Sequence, residues 1–222
     1  MNVLVVSVHP DDETLGAAGA ILKHKANGDR VVWLIVTHVL KDFGFSEERI
    51  LEREKEIEAV KQAFGFDAVE NLKYPTMMLD NTSLLKMVPE IGNIIHKHQC
   101  ETIYTVNRSD AHSDHRIVFD AVMANTKSFR FPFIKKVLMY ECISETEFAP
   151  ALAEKAFVPN YFIDISPYLG QKLEIMSIFA SEMGEHPFPR SKRNIEALAT
   201  FRGAQCGVEY AEAFQLLKYI DK

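Results

Sequence analysis

Cysteine is scarce in this chain. Cys100, Cys142 and Cys206 are an odd set without a C-x-x-C pair. That excludes a disulfide framework or a thiolate zinc site and suits a reducing, cytoplasmic compartment. Long hydrophobic runs are lacking too. None approaches the ~18 residues of a membrane span, and the first residues have neither the basic start nor the long apolar stretch of a secretory signal. Positive charge is in deficit: 25 Lys and Arg against 31 Asp and Glu leave a formal net charge of −6, which weighs against nucleic acid or an anionic membrane as the partner. A glycine-rich phosphate loop is missing as well. Gly16-Ala17-Ala18-Gly19 lacks the leading glycine of G-x-G-x-x-G, and acids at the start of that helix would repel a phosphate.

What is present is an ordinary globular composition, 47% hydrophobic and 25% charged over 222 residues, enough for one sizeable domain spanning 1–222. The order of elements reads as α/β: a single Rossmann-like three-layer domain with a mainly parallel sheet and an elaborated C-terminal third. Val3 to Val8, Arg30 to His38, Ala68 to Tyr74, Glu101 to Val106 and Lys136 to Glu141 are strands, and continuous Val/Ile/Leu runs fit strands covered on both faces. Helices are expected from Glu13 to Asn27, from Ser46 to about Gly65, from Thr82 to Gln99 (kinked or split by Pro89) and from Asp114 to Thr126. Beyond that the pattern is less regular: a short strand at Tyr161 to Ile165 and helices at Tyr168 to Glu182 and Ile195 to Gln205.

Two polar clusters interrupt this scheme, each directly after a buried strand and before a helix. The first is His9-Pro10-Asp11-Asp12-Glu13 and the second Asp110-Ala111-His112-Ser113-Asp114-His115. In open α/β sheets ligands bind at the carboxyl ends of the strands, so neighbouring strands would bring the clusters together. His9, Asp12 and His115 then form a two-histidine, one-carboxylate metal set of the kind that leaves one position for water. Asp11 is left as a general base, and His112 as a group for an oxyanion or a leaving amine. Each residue has a plainer alternative. Asp11 or Asp12 also suits a helix cap, and a histidine at a strand end is commonly structural.

The paired motifs resemble the PIG-L/LmbE-like superfamily of zinc-dependent de-N-acetylases. The resemblance extends to Arg53-x-x-Glu56-Ile57 with Phe64-Gly65, and more loosely to Tyr210-Ala211-Glu212-Ala213-Phe214. It implies removal of an N-acetyl group from an N-acetylglucosamine-type conjugate, a small-molecule amino sugar, and an assembly of more than one copy. It also implies His9, Asp12 and His115 as ligands of zinc, Asp11 as the base, His112 as the oxyanion group, Asp114 as the partner orienting His112, and Arg53 as a substrate contact. Ferrous iron suits the same donors. Ser113 stands where many members carry proline, and the loop Val39 to Ser46 lacks the usual glycine-rich form.

Read without the resemblance, Arg53 belongs to a solvated, charge-laced helix face. His38 is expected to wall the site, whereas His24, His96 and His98 read as surface groups. Arg190, Lys192 and Arg193 form a basic patch. The rival functions are a two-metal phosphoesterase, separable by metal stoichiometry, and an inert metal-binding relative.

Overall fold

Strand β1 (Asn2–Ser7) is the centre of the molecule. Val3, Leu4, Val5 and Val6 are fully buried, as an apolar run without alternation requires. It pairs in parallel with β2 (Arg30–His38) on one side and with β4 (Thr102–Val106) on the other, Val3 facing Val31 and Thr102. Outside these lie β3 (Ala68–Pro75) and β5 (Lys136–Tyr140), also parallel. The computed structural model describes residues 1–221, and its seven-stranded sheet is completed by β6 (Tyr161–Asp164) and β7 (Ala211–Tyr219) in the order β3-β2-β1-β4-β5-β7-β6. The order reverses between β1 and β4. Right-handed crossovers therefore place α1 (Asp12–Ala26) and α2 (Glu47–Phe64) on one face. Helices α3 (Leu84–His98) and α4 (Ser113–Ala124) pack against each other on the opposite face. Next in the chain, α5 (Leu169–Met176) joins α1 and α2, and α6 (Lys192–Cys206) packs on β7.

The expected strands and the four early helices are present. Pro89 neither splits nor ends α3. Its missing N–H deprives the carbonyl of Leu85, an exposed residue whose carbonyl water can serve. The helix expected over Tyr168 to Glu182 is shorter, ending at Met176 with a separate 3₁₀ turn at Ala180–Glu182. The strand not foreseen is β7, which runs antiparallel to both β5 and β6. Among the described residues no helix is long and apolar enough to cross a membrane.

Gly16 and Gly19 serve packing. A Cβ on Gly16 would stand 2.1 Å from the Tyr140 ring, and one on Gly19 would stand 2.2 Å from Ile165. Their absence of side chain lets β5 and the segment after β6 press onto α1. Beside them a buried ion pair grips the helix in mid-course. The Glu212 carboxylate of β7 accepts the N–H groups of Gly19 and Ala20, both at 2.9 Å, and the Lys172 ammonium of α5 at 2.7 Å. Lys172 also donates to the Leu15 carbonyl at 2.8 Å. Removing one partner of such a pair leaves the other charged and buried, at a cost of about 3–5 kcal/mol. Glu212→Ala is expected to lose about that much stability in urea denaturation. A loss under about 1 kcal/mol would show that the pair does not anchor α1.

Candidate active site

Because β1 and β4 are neighbours, the two polar clusters meet at their carboxyl ends. They line one cavity of about 260 Å³, to which His9, Asp11, Asp12, His112 and His115 all contribute. The His9 ring lies 4.6 Å from that of His112 and 5.4 Å from that of His115, centroid to centroid.

Asp12 caps no helix. Its Oδ2 reaches back to the strand end and accepts the N–H groups of Val8 (2.9 Å) and His9 (2.8 Å), while Oδ1 faces His115 Nε2 at 3.5 Å. Asp11 occupies the cap position of α1 without making a side-chain cap. Its φ of 146° is a left-handed value that a non-glycine residue adopts only when its surroundings enforce it. Here the Asp11 N–H is held by Glu13 at 3.2 Å, and Arg53 donates to the adjacent Pro10 carbonyl at 2.7 Å.

His9, Asp12 and His115 offer donor atoms within 4.8 Å of one another. His9, His112 and Asp114 do so as well, but Asp114 already accepts the N–H groups of Met77 (2.8 Å) and Leu79 (3.2 Å), and His112 Nδ1 accepts the N–H of Asp114 at 3.1 Å. In the second set both Asp114 oxygens already take backbone donors, whereas in the first Asp12 keeps Oδ1 for a ligand. The first set fits a divalent cation on three observations. His115 Nε2 is fully buried with no hydrogen-bond partner among the described residues. Its other ring nitrogen, Nδ1, is bonded to Asp110 at 2.8 Å, and Asp110 accepts in turn from Asn107 and Thr146, both at 2.7 Å. A carboxylate behind a ligating imidazole is the usual device for orienting it. Finally, His9 Nε2 lies 3.4 Å from Asp114, which leaves Nδ1 on the side of Asp12.

The partner expected for Asp114 changes on this geometry, and the solvated alternative for Arg53 falls away. The Asp114 side chain addresses His9 rather than His112, because His112 is the N-cap of α4 and its ring takes the Asp114 backbone N–H instead. Arg53 is not on a solvated face. It is 4% exposed, lines the cavity, and spends its guanidinium on Pro10, Glu56 at 3.2 Å and Glu182.

Burial acts first on these groups and is then opposed or reinforced by their neighbours. It pushes Asp11 well above the ordinary carboxylate range, with Asp12 and Glu182 reinforcing it and Arg190 and Arg53 opposing it. For Asp12, burial is outweighed by His115 and His9, which hold it well below that range. Asp12 and Asp110 raise His115 against its own burial, and the field that raises an imidazole's proton affinity also favours a cation at its free nitrogen. His112 is driven the other way, down to about 4, by burial and by His9, so it is a neutral ring near neutrality. Glu13, buried against the hydroxyls of Thr14 and Ser7, is pushed up to about 7.

Sequence reasoning missed several contributors. Asp110 stood inside the second cluster without a role, and its spacing five residues before His115 is a usable signal. Cys142, Ser144, Glu145 and Glu182 also line the cavity, and so does Arg190, whereas Lys192 and Arg193 are exposed. His38 is buried but Val39, not His38, lines the wall. His24 and His98 are not surface groups. They bond Asp29 and Tyr104, and Glu70, respectively.

The family model described as PIG-L, GlcNAc-PI de-N-acetylase, matches residues 4–126. Diacetylchitobiose deacetylase of Thermococcus kodakarensis is 24% identical over 97% of this chain and 83% of its own length. The structure of N,N'-diacetylchitobiose deacetylase from Pyrococcus horikoshii, complexed with an inhibitor, superposes with a TM-score of 0.76 at 20% identity, covering 98% of this chain and 84% of that one. The 4-carboxy-2-hydroxymuconate hydratase GalB of Pseudomonas putida superposes with a TM-score of 0.73 at 19% identity, covering 100% and 98%. At such identities the superpositions establish the fold, and a fold that also carries a hydratase does not by itself select a reaction.

The raised Glu13 gives a pH prediction. A carboxyl whose folded pKa lies above its unfolded one contributes stability below about pH 4.5 and loses it as pH rises past about 7. That shift is worth about 3 kcal/mol. In urea denaturation of the metal-free protein, Glu13→Gln should gain about 2–3 kcal/mol relative to the parent between about pH 5 and about pH 8. A parent and variant that keep a constant difference over that range would show that Glu13 is not the titrating group.

Proposed function

We propose, for a chain that belongs to the PIG-L family of GlcNAc-PI de-N-acetylases, a metal-dependent hydrolase that removes the N-acetyl group from an N-acetylglucosamine-type amino sugar conjugate. The observation that carries this reading is the convergence, in one cavity, of the three-donor set His9, Asp12 and His115 with a base and a neutral imidazole that are not needed to hold the metal. An inert metal-binding relative would have no use for Asp11 in a strained, buried and basic state. The phosphoesterase alternative is disfavoured because Asp114, the carboxylate of a second donor set, already has both oxygens engaged by the Met77 and Leu79 N–H groups.

When bound by His9, Asp12 and His115, a divalent metal supplies Lewis-acid polarisation and a more acidic water. We assign zinc, with Fe²⁺ suited to the same donors. Asp11 accepts the proton of the attacking water as its oxygen adds to the acetamide carbon, and its raised pKa brings it nearer the range a general base needs. With Nδ1 engaged by the Asp114 N–H, neutral His112 carries its proton on Nε2, the donor available to the developing oxyanion. Collapse breaks the C–N bond, and Asp11 returns the proton to the departing amine, giving acetate and the free amino sugar. Asp114 contributes by orienting His9. Arg53, on the cavity wall, is the assigned substrate contact and also holds the Pro10 carbonyl next to the base.

The same reading takes 1–222 as a single domain, a cytoplasmic location in keeping with three free cysteines, and a homo-oligomer, measurable by light scattering. The decisive test is acetate release from a panel of N-acetylglucosamine conjugates by protein reconstituted with zinc or iron. Metal-dependent acetate from one class of conjugate is expected. Asp11→Asn should bind metal like the parent and lose at least about a hundredfold in turnover. Near-normal turnover in this variant would remove Asp11 as the base, and one tightly bound metal without acetate from any conjugate would overturn the deacetylase reading.

A further inference from the structure

The loop after β5, residues 142–146, is bonded to Asp12, Asp110 and the second cluster, although no acid or histidine cluster marks it in the sequence. The Cys142 thiol donates to Asp12 Oδ1 at 3.4 Å. Thr146 donates its hydroxyl to Asp110 Oδ1 at 2.7 Å, and Asp110 holds His115. The loop is closed on itself, because the Cys142 N–H donates to the same Thr146 hydroxyl at 2.8 Å. It is also joined to the second cluster: the Glu145 carbonyl accepts from Ala111 at 3.1 Å and the Glu145 carboxylate from the His112 N–H at 3.0 Å.

Oδ1 is the oxygen through which Asp12 faces His115, since Oδ2 is committed to Val8 and His9. A donor on Oδ1 therefore fixes the carboxylate's rotation about its own axis and holds that oxygen facing the donor set. Cys142 Sγ is outside the sets of donor atoms lying within 4.8 Å of one another, so the thiol stands behind Asp12 rather than beside it as a ligand. Thr146 does for Asp110 and His115 what Cys142 does for Asp12. Two of the three donors are thus oriented from one short loop on a third strand.

We propose that Cys142 and Thr146 are positioning residues that set the metal affinity of the site, Cys142 through Asp12 and Thr146 through Asp110 and His115. This rests on the metal-site reading above but not on the substrate. Groups that hold metal ligands from behind typically govern affinity by 10–100-fold. Cys142→Ala and Thr146→Val should each weaken zinc binding by about tenfold or more in competition with a chromophoric chelator. Each should also shift the visible absorption of the cobalt-substituted protein. Cys142→Ser, which keeps a donor of nearly the same size, should stay within about threefold of the parent.

The melting temperature of the metal-free proteins separates positioning from bulk packing. A Cys142→Ala protein that binds zinc like the parent with an unchanged cobalt spectrum overturns the proposal, whatever its melting temperature. So does a Cys142→Ser protein as weak as Cys142→Ala. A parent that binds no zinc overturns the metal-site reading and this proposal with it, whereas a zinc-binding parent matched by its alanine variant overturns this proposal alone.

Discussion

The carboxylate of Asp12 is the point on which the cavity depends, because its two oxygens serve two different structures. Oδ2 is bonded to the N–H groups of Val8 and His9, where β1 has run out of strand partners. Oδ1 points across to the second cluster. Hydrogen bonds to a charged group contribute about 1.5–3 kcal/mol each, enough to hold the turn after β1 in one conformation. That turn in turn fixes where His9 stands, and it presents Asp11 at a backbone angle that an unrestrained chain would leave. The strain at Asp11 persists because Glu13 and Arg53 grip it from either side.

Carboxylates are crowded here to a degree that would unfold an ordinary core. Asp11, Asp12, Glu13, Asp110 and Asp114 are all buried, and an isolated buried charge costs several kcal/mol. Each has a separate answer. Asp12 and Asp114 have backbone donors, Asp110 has three side-chain partners, and Glu13 has hydroxyls and a proton affinity high enough to lose its charge near neutrality. Asp11 has no such set of donors. Its charge is opposed only at longer range by Arg53 and Arg190, and it is the one whose proton affinity rises most usefully for chemistry. On the proposed reading, the division between metal donors and base follows from where hydrogen bonds are supplied.

The two clusters that meet in the cavity were legible in the sequence. Acids and histidines packed between a buried strand and a helix have no structural economy, so His9, Asp12, Asp11, His112 and His115 stand out, and the adjacency of β1 and β4 completes what spacing could only anticipate. Arg53 was harder to read because Arg49 to Glu56 alternate in charge like a solvated face. Yet Arg53 and Glu56 share a stripe with Val60 and Phe64 at helical spacing, and that stripe is the buried one. Strand β7 was hidden by Glu212. A charge in the middle of Ala-Glu-Ala-Phe reads as solvent-facing, but it is consumed by Lys172 and the backbone of α1. Cys142 and Thr146 carry no pattern at all, since their role lies in what they touch 36 to 130 residues away.

Chemistry and selectivity are divided along the chain. The proposed metal ligands, base and oxyanion group lie between His9 and His115, inside the stretch 4–126 that the family model matches. Beyond it, Cys142, Ser144, Glu145, Glu182 and Arg190 build the facing wall of the same cavity. Glu182 accepts from Arg49 at 3.0 Å, from Arg190 at 3.2 Å and from Arg53, so the wall is tied to α2 by charge as well as by packing. A motif-bearing half that must preserve a reaction is under geometric constraint at every residue, while wall residues that bond no part of the donor set, such as Ser144 and Arg190, can change without moving a ligand. That is why the reaction type can be read from this sequence and the identity of the conjugate cannot. The cavity residues free to differ with the substrate are those outside the motifs: Val39, Phe45, Thr76 and Met77 before residue 126, and Ser144, Glu182 and Arg190 after it.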